Sequence, residues 1–356
     1  MTQTQHTAST EPVELWYTRC GAATSSALAI RKNWLQEEFA KGGTVLHSLR
    51  DSSSLEVRNS HYHHKQSGMF REGGNIPPIW AKASGQDTVV LGITWLDEYQ
   101  GVLVRADSSI KEIGDLAGKR LGVPLHRQAV IDFQRGAAQH GFATALSLAG
   151  LTAADATFVD LDAPSYDLQD GVRRIDIPRR ELELDALEQG VVDAVFIRFA
   201  RGYRASQDTR FREIININDH PDALVRVNNG TPRPITVDRS FLERHPDIVV
   251  RYLTVLLRTA AWARENPNEV LSLLASDSGG ATAAEVLASH GAGVHSSFTP
   301  DLSKAYIDGL ETQKNFLRDW GFLKADFDIQ DWIVTEPLAE ARKLFEQQST
   351  SLAAAA

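Results

Sequence analysis

The sequence predicts an α/β protein with two lobes, each built on a doubly wound and mainly parallel β-sheet. One observation is that short β-branched runs alternate with longer amphipathic stretches, which is typical of βαβ units. Another is the size of the chain. Its 356 residues, 42% of them hydrophobic, supply a large core and favour two domains over one.

The elements follow one another in a regular order. An apolar strand-like run at residues 15–17 gives way to Cys20, and a helix-like stretch begins near residues 22–25. A short helix and a glycine turn at 107–119 lead into a new strand, and Gly190 later ends a helix before a buried strand. The buried strands are predicted at residues 88–93, 102–105, 120–123, 157–161 and 192–197.

The charge and hydropathy patterns exclude several classes of function. The formal net charge is −9 and the basic residues form no stripe, so a nucleic-acid partner is not expected. No stretch approaches the eighteen apolar residues of a membrane span, so no membrane partner is expected either. Residues 1–10 contain neither the basic nor the apolar region of a secretion signal, and we therefore expect a cytoplasmic protein.

Cys20 is the only cysteine of the chain, so it cannot belong to an internal disulfide. A lone thiol is either a small apolar side chain in the core or a reactive group. Two features favour reactivity, because the cationic Arg19 precedes it and the amides of the following helix start would stabilise a thiolate. The sequence alone leaves both interpretations open.

A second unusual segment covers residues 61–78 and contains three histidines, an arginine, a double glycine and a double proline. It is either a polar surface loop or part of a reactive site with Cys20. In a reactive site His61 would poise the thiol, and Arg71 would bind two oxygens of an oxyanion. Gly73 and Gly74 would bring bare N–H groups close to that anion.

A metal site at these histidines is the weaker alternative. His61 and His63 would share one face of a strand, but His63 and His64 are adjacent. Cys20 is the sole thiol, and no HExxH or CxxC spacing supplies further ligands. We therefore expect no metal site here, and no Gly-rich phosphate loop indicates a nucleotide cofactor.

Residues 107–123 and 187–196 resemble the type II periplasmic-binding-protein fold, particularly the branch that binds sulfonates, taurine and nitrate. The resemblance implies that the chain builds one lobe, crosses to the second and returns, with the ligand cleft between the lobes. The implied divisions are lobe I at 12–118 and 231–348, lobe II at 119–230, and flexible tails at 1–11 and 349–356.

The first lobe also resembles the aryl-sulfinate desulfinase family. That family has a cysteine, a later histidine, a glutamine five residues on, an arginine ten residues after the histidine, and a Gly-Gly-x-Ile-Pro-Pro tail. This chain matches at Cys20, His61, Gln66, Arg71 and residues 73–78. It departs from the family beside the thiol, where Thr18-Arg19 replace Ser-Asn and Gly21 replaces a proline, and at His64, which replaces a tyrosine.

The resemblance implies metal-free hydrolysis of an aryl carbon–sulfur bond with release of sulfite. Cys20, His61 and Arg71 would be catalytic, while the substrate, a small organic anion, would contact Gly73, Gly74, Gln66, Thr18 and Arg19. Either the Cys20 thiolate attacks sulfur, or the thiol protonates the ring carbon and water attacks sulfur.

Two rival functions share the same scaffold. One is an ABC-transporter-type solute-binding protein for sulfonates or related anions, in which Arg71 and the glycine amides only hold the ligand. The other is a different cysteine-dependent hydrolase that acts on a carboxylate or a carbon–nitrogen bond, because an arginine accepts any such oxyanion.

Overall fold

The computed structural model describes residues 12–20, 23–40, 42–163 and 181–355, which form two five-stranded sheets with helices packed around them. The strands of the first sheet, in spatial order, are β2 (Val45–Ser48), β1 (Glu14–Tyr17), β3 (Met69–Glu72), β10 (Arg233–Asp238) and β4 (Thr88–Thr94). Those of the second are β7 (Thr157–Asp162), β6 (Arg120–Leu125), β8 (Ala194–Arg198), β5 (Gln100–Arg105) and β9 (Phe211–Asn216). This arrangement confirms the two-lobed α/β fold.

Helices connect the strands and cover both sheets. Those before the first crossing are α1 (Ser25–Arg31), α2 (Trp34–Ala40), α3 (Leu55–His63) and α4 (Ile76–Ala83). The second lobe carries α5 (Phe133–Leu148), α6 (Leu182–Glu188) and α7 (Phe199–Ser206). After the return come α8 (Arg239–Arg244), α9 (Pro246–Glu265), α10 (Pro267–Asp277), α11 (Ala283–His290), α12 (Lys304–Asp319), α13 (Ile329–Trp332) and α14 (Glu336–Ala355). Within the described ranges, none of these helices is both long and apolar enough to cross a bilayer.

Each sheet is mixed rather than mainly parallel. β1 pairs in parallel with β2 and β3, whereas β10 runs antiparallel to both β3 and β4. In the second sheet β6 is parallel to β7 and β8, whereas β5 is antiparallel to β8 and β9. The two antiparallel strands, β5 and β10, are those that follow the crossings between the lobes. The hydrophobic pattern of a strand does not reveal the direction in which it runs in the sheet, so the sequence did not predict them.

The divisions of the chain differ in two places from those predicted. β5 lies in the second sheet, so the first crossing falls between Thr94 and Gln100, before the expected exit at residue 118. The return falls between Asn216 and Arg233. Residues 349–355 continue α14 rather than forming a flexible tail, because this alanine-rich end extends an established helix. The predicted tail at residues 1–11 lies outside the described residues.

Apolar cores hold the helices to the sheets and join the lobes. One face of the first sheet packs against α1, α2, α9 and α14 through a cluster that includes Leu15, Phe70 and Tyr252. On the other face a cluster contains Ile79 and Leu310 of the first lobe together with Ala137 of α5. α5 belongs to the second lobe, so a continuous apolar core crosses the boundary between the lobes.

A polar network also links the lobes near the crossings. The fully buried carboxylate of Glu98 pairs with Arg198 at the end of β8 (2.8 Å) and with Arg233 of β10 (3.2 Å). Arg233 also donates to the carbonyl oxygens of Gly230 and Ala23. This network fixes the returning chain and the residues after Cys20 against one another.

Candidate active site

The central feature of the candidate site is a row of side chains across three neighbouring strands. Arg71 of β3 is the Cα partner of Thr236 on β10. On the other side, Tyr17 pairs with Phe70, and the amide of Thr18 donates to the Phe70 carbonyl at 3.2 Å, which extends the pairing by one residue. Opposite residues in a sheet share a face, so Arg71 and Thr236 lie side by side, and Thr18 lies one position beyond the last pair of β1 and β3.

Arg71 is a buried cation without a matching anion. Its side chain is almost completely buried, and it has no carboxylate partner in the part of the chain that the structure describes. Nε donates to the backbone carbonyl of His61 at the C-terminal end of α3 (2.9 Å), while the buried Nη1 has no hydrogen-bond partner there. Burial lowers the pKa of Arg71 to about 10, a shift that the charges of ionised Cys20 and Tyr62 oppose. Because an unpaired buried donor is costly, this nitrogen favours an anionic ligand.

Cys20 lies against the glycine two residues beyond Arg71. A Cβ placed on Gly73 would lie 2.9 Å from both Cβ and Sγ of Cys20, closer than real atoms approach. Gly73 also has a φ of +152°, which side chains rarely adopt. The thiol therefore occupies the space that any side chain at residue 73 would fill. Cys20 is a free, partly exposed thiol.

Thr18 completes the polar lining near Arg71. Its side chain is buried, and its Oγ1 has no hydrogen-bond partner among the described residues. The structure thus brings Cys20, Arg71, Gly73 and Thr18 to one edge of the first sheet, with two unpaired polar atoms, Arg71 Nη1 and Thr18 Oγ1. A hydroxyl and a guanidinium are suitable donors for an oxyanion.

Arg19 takes a different place from the one expected. Its Nη2 donates to Asp277 at the end of α10 (2.9 Å), and Arg31 of α1 donates to the same carboxylate. The structure thus places the Arg19 guanidinium in an ion pair with Asp277 rather than among the unpaired donors of the site. Nothing in the local sequence indicates Asp277, which is more than 250 positions away.

The start of α1 is also occupied. The buried Glu72 carboxylate accepts hydrogen bonds from the amides of Ser25 (3.1 Å) and Ser26 (2.7 Å) and from the hydroxyl of Thr94 (3.1 Å). Thr24 accepts from the next amide, that of Ala27. The prediction that these amides stabilise a thiolate at Cys20 is therefore wrong, because an internal carboxylate already uses them.

Gln66 lies away from the thiol, and Gly74 has a packing role in addition to the one expected. Gln66 precedes β3, at the end of the strand remote from Gly73, and its amide donates to the adjacent Ser67 carbonyl at 3.4 Å. It is therefore not brought to the thiol. At Gly74 a Cβ would lie 2.7 Å from the Asn229 side chain, so the absence of a side chain serves packing against the returning chain. The Asn75 amide donates to the Asn229 carbonyl at 2.7 Å and fixes this loop.

The three histidines have separate environments. His61 supplies the carbonyl for Arg71, and its ring meets the Tyr62 ring edge-on at 5.0 Å. His63 faces the exposed Glu56 at 3.5 Å. His64 is buried and bonds Thr236 Oγ1 through Nε2 at 3.0 Å. Within the described ranges, no group of three or more metal-ligating side chains is arranged to hold a metal ion.

A cavity of about 260 Å³ lies between the lobes, and Tyr62, the neighbour of His61, is among the residues that line it. One wall is α3, with Leu55, Asn59 and Tyr62, and the other is the segment 126–134 of the second lobe, with Ile131 and Phe133. Tyr62 directly follows His61, whose carbonyl accepts from Arg71, and its ring stacks on Phe133 in the opposite wall of the cavity (6.1 Å). The site thus combines a thiol and a buried cation with an unpaired donor, and α3 connects them to a cavity with aromatic walls between the lobes.

The sequence is similar to those of a group of curated enzymes. The chain is 27% identical over 307 residues to 2′-hydroxybiphenyl-2-sulfinate desulfinase from Rhodococcus erythropolis, an alignment that covers 78% of this chain and 81% of that enzyme. The Rhodococcus qingshengii enzyme of the same name matches equally well. The chain is a homologue of these desulfinases. No family model matches it.

Solved structures agree with this homology at the level of the fold. The desulfinase homologue superposes on a cysteine-to-serine mutant of DSZB in complex with biphenyl-2-sulfinic acid with a TM-score of 0.71 and 24% identity. That match covers 93% of this chain and 99% of the other. The periplasmic sulfonate-binding protein SsuA from Methylobacillus flagellatus gives a TM-score of 0.67 at 17% identity, with 94% and 96% covered. The expected periplasmic-binding-protein fold is therefore confirmed.

Several residues around the site were not predicted from the sequence. Tyr62 lies between two histidines and signals nothing by itself, and Thr236 lies far along the chain in an ordinary strand pattern. Asn229 was read only as part of a hinge crossing. Two asparagines followed by a glycine at 228–230 are the sequence feature that could have indicated a packing role for this crossing beside the site.

Proposed function

We propose that this protein is a cysteine-dependent desulfinase that hydrolyses the carbon–sulfur bond of an aryl sulfinate and releases sulfite. The observation that carries the proposal is the buried Arg71, whose Nη1 has no partner among the described residues, together with the chain's only thiol, which lies against Gly73 two residues further along. Homology to the desulfinases supports the same reaction.

The sulfinate group would bind at the row of polar side chains. Arg71 Nη1 and Thr18 Oγ1 would each donate to one sulfinate oxygen and so satisfy the two buried atoms that lack partners. The His61 carbonyl, at the C-terminal end of α3, accepts from Nε and so fixes the guanidinium. The sulfur would then lie beside Cys20, over the bare backbone of Gly73.

The aryl group would enter the cavity between α3 and residues 126–134. Its volume of about 260 Å³ admits one or two aromatic rings, and Tyr62 and Phe133 provide aromatic walls. The second lobe therefore shapes the ring site, while the first lobe supplies the reacting groups.

Overall, the sulfinate and one water give the arene and bisulfite, with no oxidant or reductant required. In the first route, the Cys20 thiolate attacks sulfur, the ring carbon leaves with a proton, and water cleaves the resulting sulfur–sulfur bond. In the second route, the thiol protonates the ring carbon and water attacks sulfur, after which the thiolate regains a proton. In both routes Arg71 would stabilise negative charge on the sulfinate oxygens, and the His61 carbonyl would hold Arg71 in place.

The direct test is sulfite release from 2′-hydroxybiphenyl-2-sulfinate and biphenyl-2-sulfinate by the purified protein. We expect turnover by the wild type, none by Cys20→Ser, and binding of the sulfinate by both. Turnover retained in Cys20→Ser would contradict thiol chemistry. A mass increase equal to one SO₂ unit on Cys20 after rapid quenching would identify attack on sulfur, and its absence during turnover would favour ring protonation.

The solute-binding alternative makes a different prediction in the same assay. A binding protein would bind a sulfonate or sulfinate tightly and release no sulfite, and Cys20→Ser would not change its affinity.

Our proposal also includes a cytoplasmic location, which cell fractionation, followed by detection with an antibody against this protein, tests separately.

A further inference from the structure

His64 is a buried polar residue that the proposed reaction does not use. It caps the C-terminal end of α3 with a left-handed backbone (φ 55°, ψ 35°), which histidine adopts more readily than most residues. Its side chain is directed into the protein, where Nε2 bonds the hydroxyl of Thr236 at 3.0 Å. His63, one residue earlier, instead faces Glu56 at the surface.

The bond to Thr236 places the imidazole next to the guanidinium of Arg71. Thr236 is the cross-strand partner of Arg71, so their side chains share a face and their Cβ atoms lie about 5 Å apart. α3 therefore contacts this face at two points, the His61 carbonyl on Arg71 and the His64 ring on Thr236.

The pKa of His64 agrees with this proximity. Burial and, next, the charge of Arg71 lower the pKa of His64 to about 3, so its ring is neutral at any working pH. A neutral ring can pack against a guanidinium without repulsion, whereas a second cation could not.

Arg71 needs such support because it is fixed at a single point. Its long side chain is held by one hydrogen bond from Nε, and Nη1 has none among the described residues. An arginine held only at Nε retains rotational freedom, which weakens and misdirects its contacts with an anion.

We propose that His64 is a positioning residue whose neutral imidazole, fixed by Thr236, packs beside Arg71 and directs its free Nη group towards Cys20. The inference rests on the proposed function for its catalytic meaning. Its test, however, needs no substrate.

The single thiol provides that test. Iodoacetate and iodoacetamide alkylate the same atom, but only iodoacetate carries a carboxylate that Arg71 attracts. The ratio of their rate constants at Cys20 therefore reports how the guanidinium is presented to the thiol, and dividing one rate by the other cancels changes in thiol reactivity and exposure. Arg71→Gln gives the ratio without the cation.

We expect a wild-type ratio well above that of Arg71→Gln. His64→Phe and Thr236→Val should each lower it at least fivefold, because both remove the bond between the ring and the strand. Thr236→Ser, which keeps the hydroxyl, and His63→Gln, which changes the neighbouring surface histidine, should stay within twofold of wild type. Thermal melting of each variant identifies those that fold.

Three results would overturn the inference: a wild-type ratio equal to that of Arg71→Gln, a folded Thr236→Val with an unchanged ratio, or an equal fall in His63→Gln. If His64→Phe does not fold, the Val and Ser variants at Thr236 decide the question. Sulfite release is measured in parallel. A wild type that releases no sulfite but shows the expected ratios would contradict the desulfinase proposal while supporting the role of His64.

Discussion

The Sγ of Cys20 and the backbone of Gly73 are in such close contact that a Cβ on Gly73 would lie 2.9 Å from the sulfur. The thiol is therefore positioned by the lack of a side chain two residues after Arg71. Because Gly73 follows Arg71 by two residues, just beyond the end of β3, the cation and the contact made by the thiol are separated by the two-residue repeat of a β-strand.

Gly73→Ala should abolish turnover while the fold survives. The new methyl group would displace the thiol, and alanine is also strained at a φ of +152°. We expect at least a hundredfold loss of the sulfite release rate. Gly114→Ala is the matched control, since a Cβ there meets nothing within 4 Å and its φ is not positive. A Gly73→Ala protein with normal turnover would show that the thiol needs no such close approach.

The two arginines near Cys20 should differ sharply on substitution. Arg71→Lys should raise KM at least tenfold, because a point charge cannot replace a guanidinium that binds oxygens and a carbonyl at once. Arg19→Gln should change KM less than twofold, since Arg19 pairs with Asp277 instead. Steady-state sulfite release measures both. Equal effects would mean that Arg19 leaves Asp277 to contact the substrate.

Glu72→Gln should destabilise the protein. The carboxylate accepts from two amides and two hydroxyls, and a carboxamide would turn its NH₂ group towards those donors. We expect a loss of about 2–3 kcal/mol in the free energy of unfolding, measured by urea denaturation. Glu56→Gln, on the exposed face of α3, should cost less than about 0.5 kcal/mol. A stable Glu72→Gln would indicate that other groups satisfy the start of α1.

The folded protein should lose stability in acid through its buried histidines. Burial lowers the pKa of His140 to about 4, partly offset by its bond to Gln313 (3.1 Å). The unfolded chain protonates this histidine below about pH 6.5, whereas the folded protein resists protonation until about pH 4, so stability falls across that window. One such group contributes a slope of up to about 1.4 kcal/mol per pH unit.

The variant His140→Gln isolates this contribution. Glutamine cannot take up a proton, so the decline in unfolding free energy between pH 6.5 and 4 should become shallower than in the wild type. Urea denaturation at several pH values measures the slope, and His295→Gln is the control. An unchanged slope in His140→Gln would mean that His140 does not resist protonation in the fold.

The sequence predicted those parts of the fold that depend on local patterns. The β-branched runs of β4 to β8, and Gly190, which ends the helix before β8, are recognisable because burial and capping act over a few residues. The direction of β5 and β10 was not predictable, because strand polarity depends on partners far away in the chain.

The candidate site, too, was predicted from the sequence only in part. Cys20, Arg71 and Gly73 carry a recognisable spacing, and the structure brings them together. Arg19 and Gln66 looked equally suitable, but Arg19 pairs with Asp277, and Gln66 lies at the other end of β3. The arrangement of His64 beside Arg71 depends on a threonine of β10, more than 160 positions along the chain.

The apolar core shared by α5 and the first lobe has a kinetic consequence. Swinging the lobes apart would expose Ala137, Ile79 and Leu310 to water and separate the stacked rings of His140 and Phe316. The ligand-free protein should therefore stay closed, and capture of the substrate should need no preceding opening step. In stopped-flow experiments the observed association rate should then rise linearly with sulfinate concentration and reach no plateau.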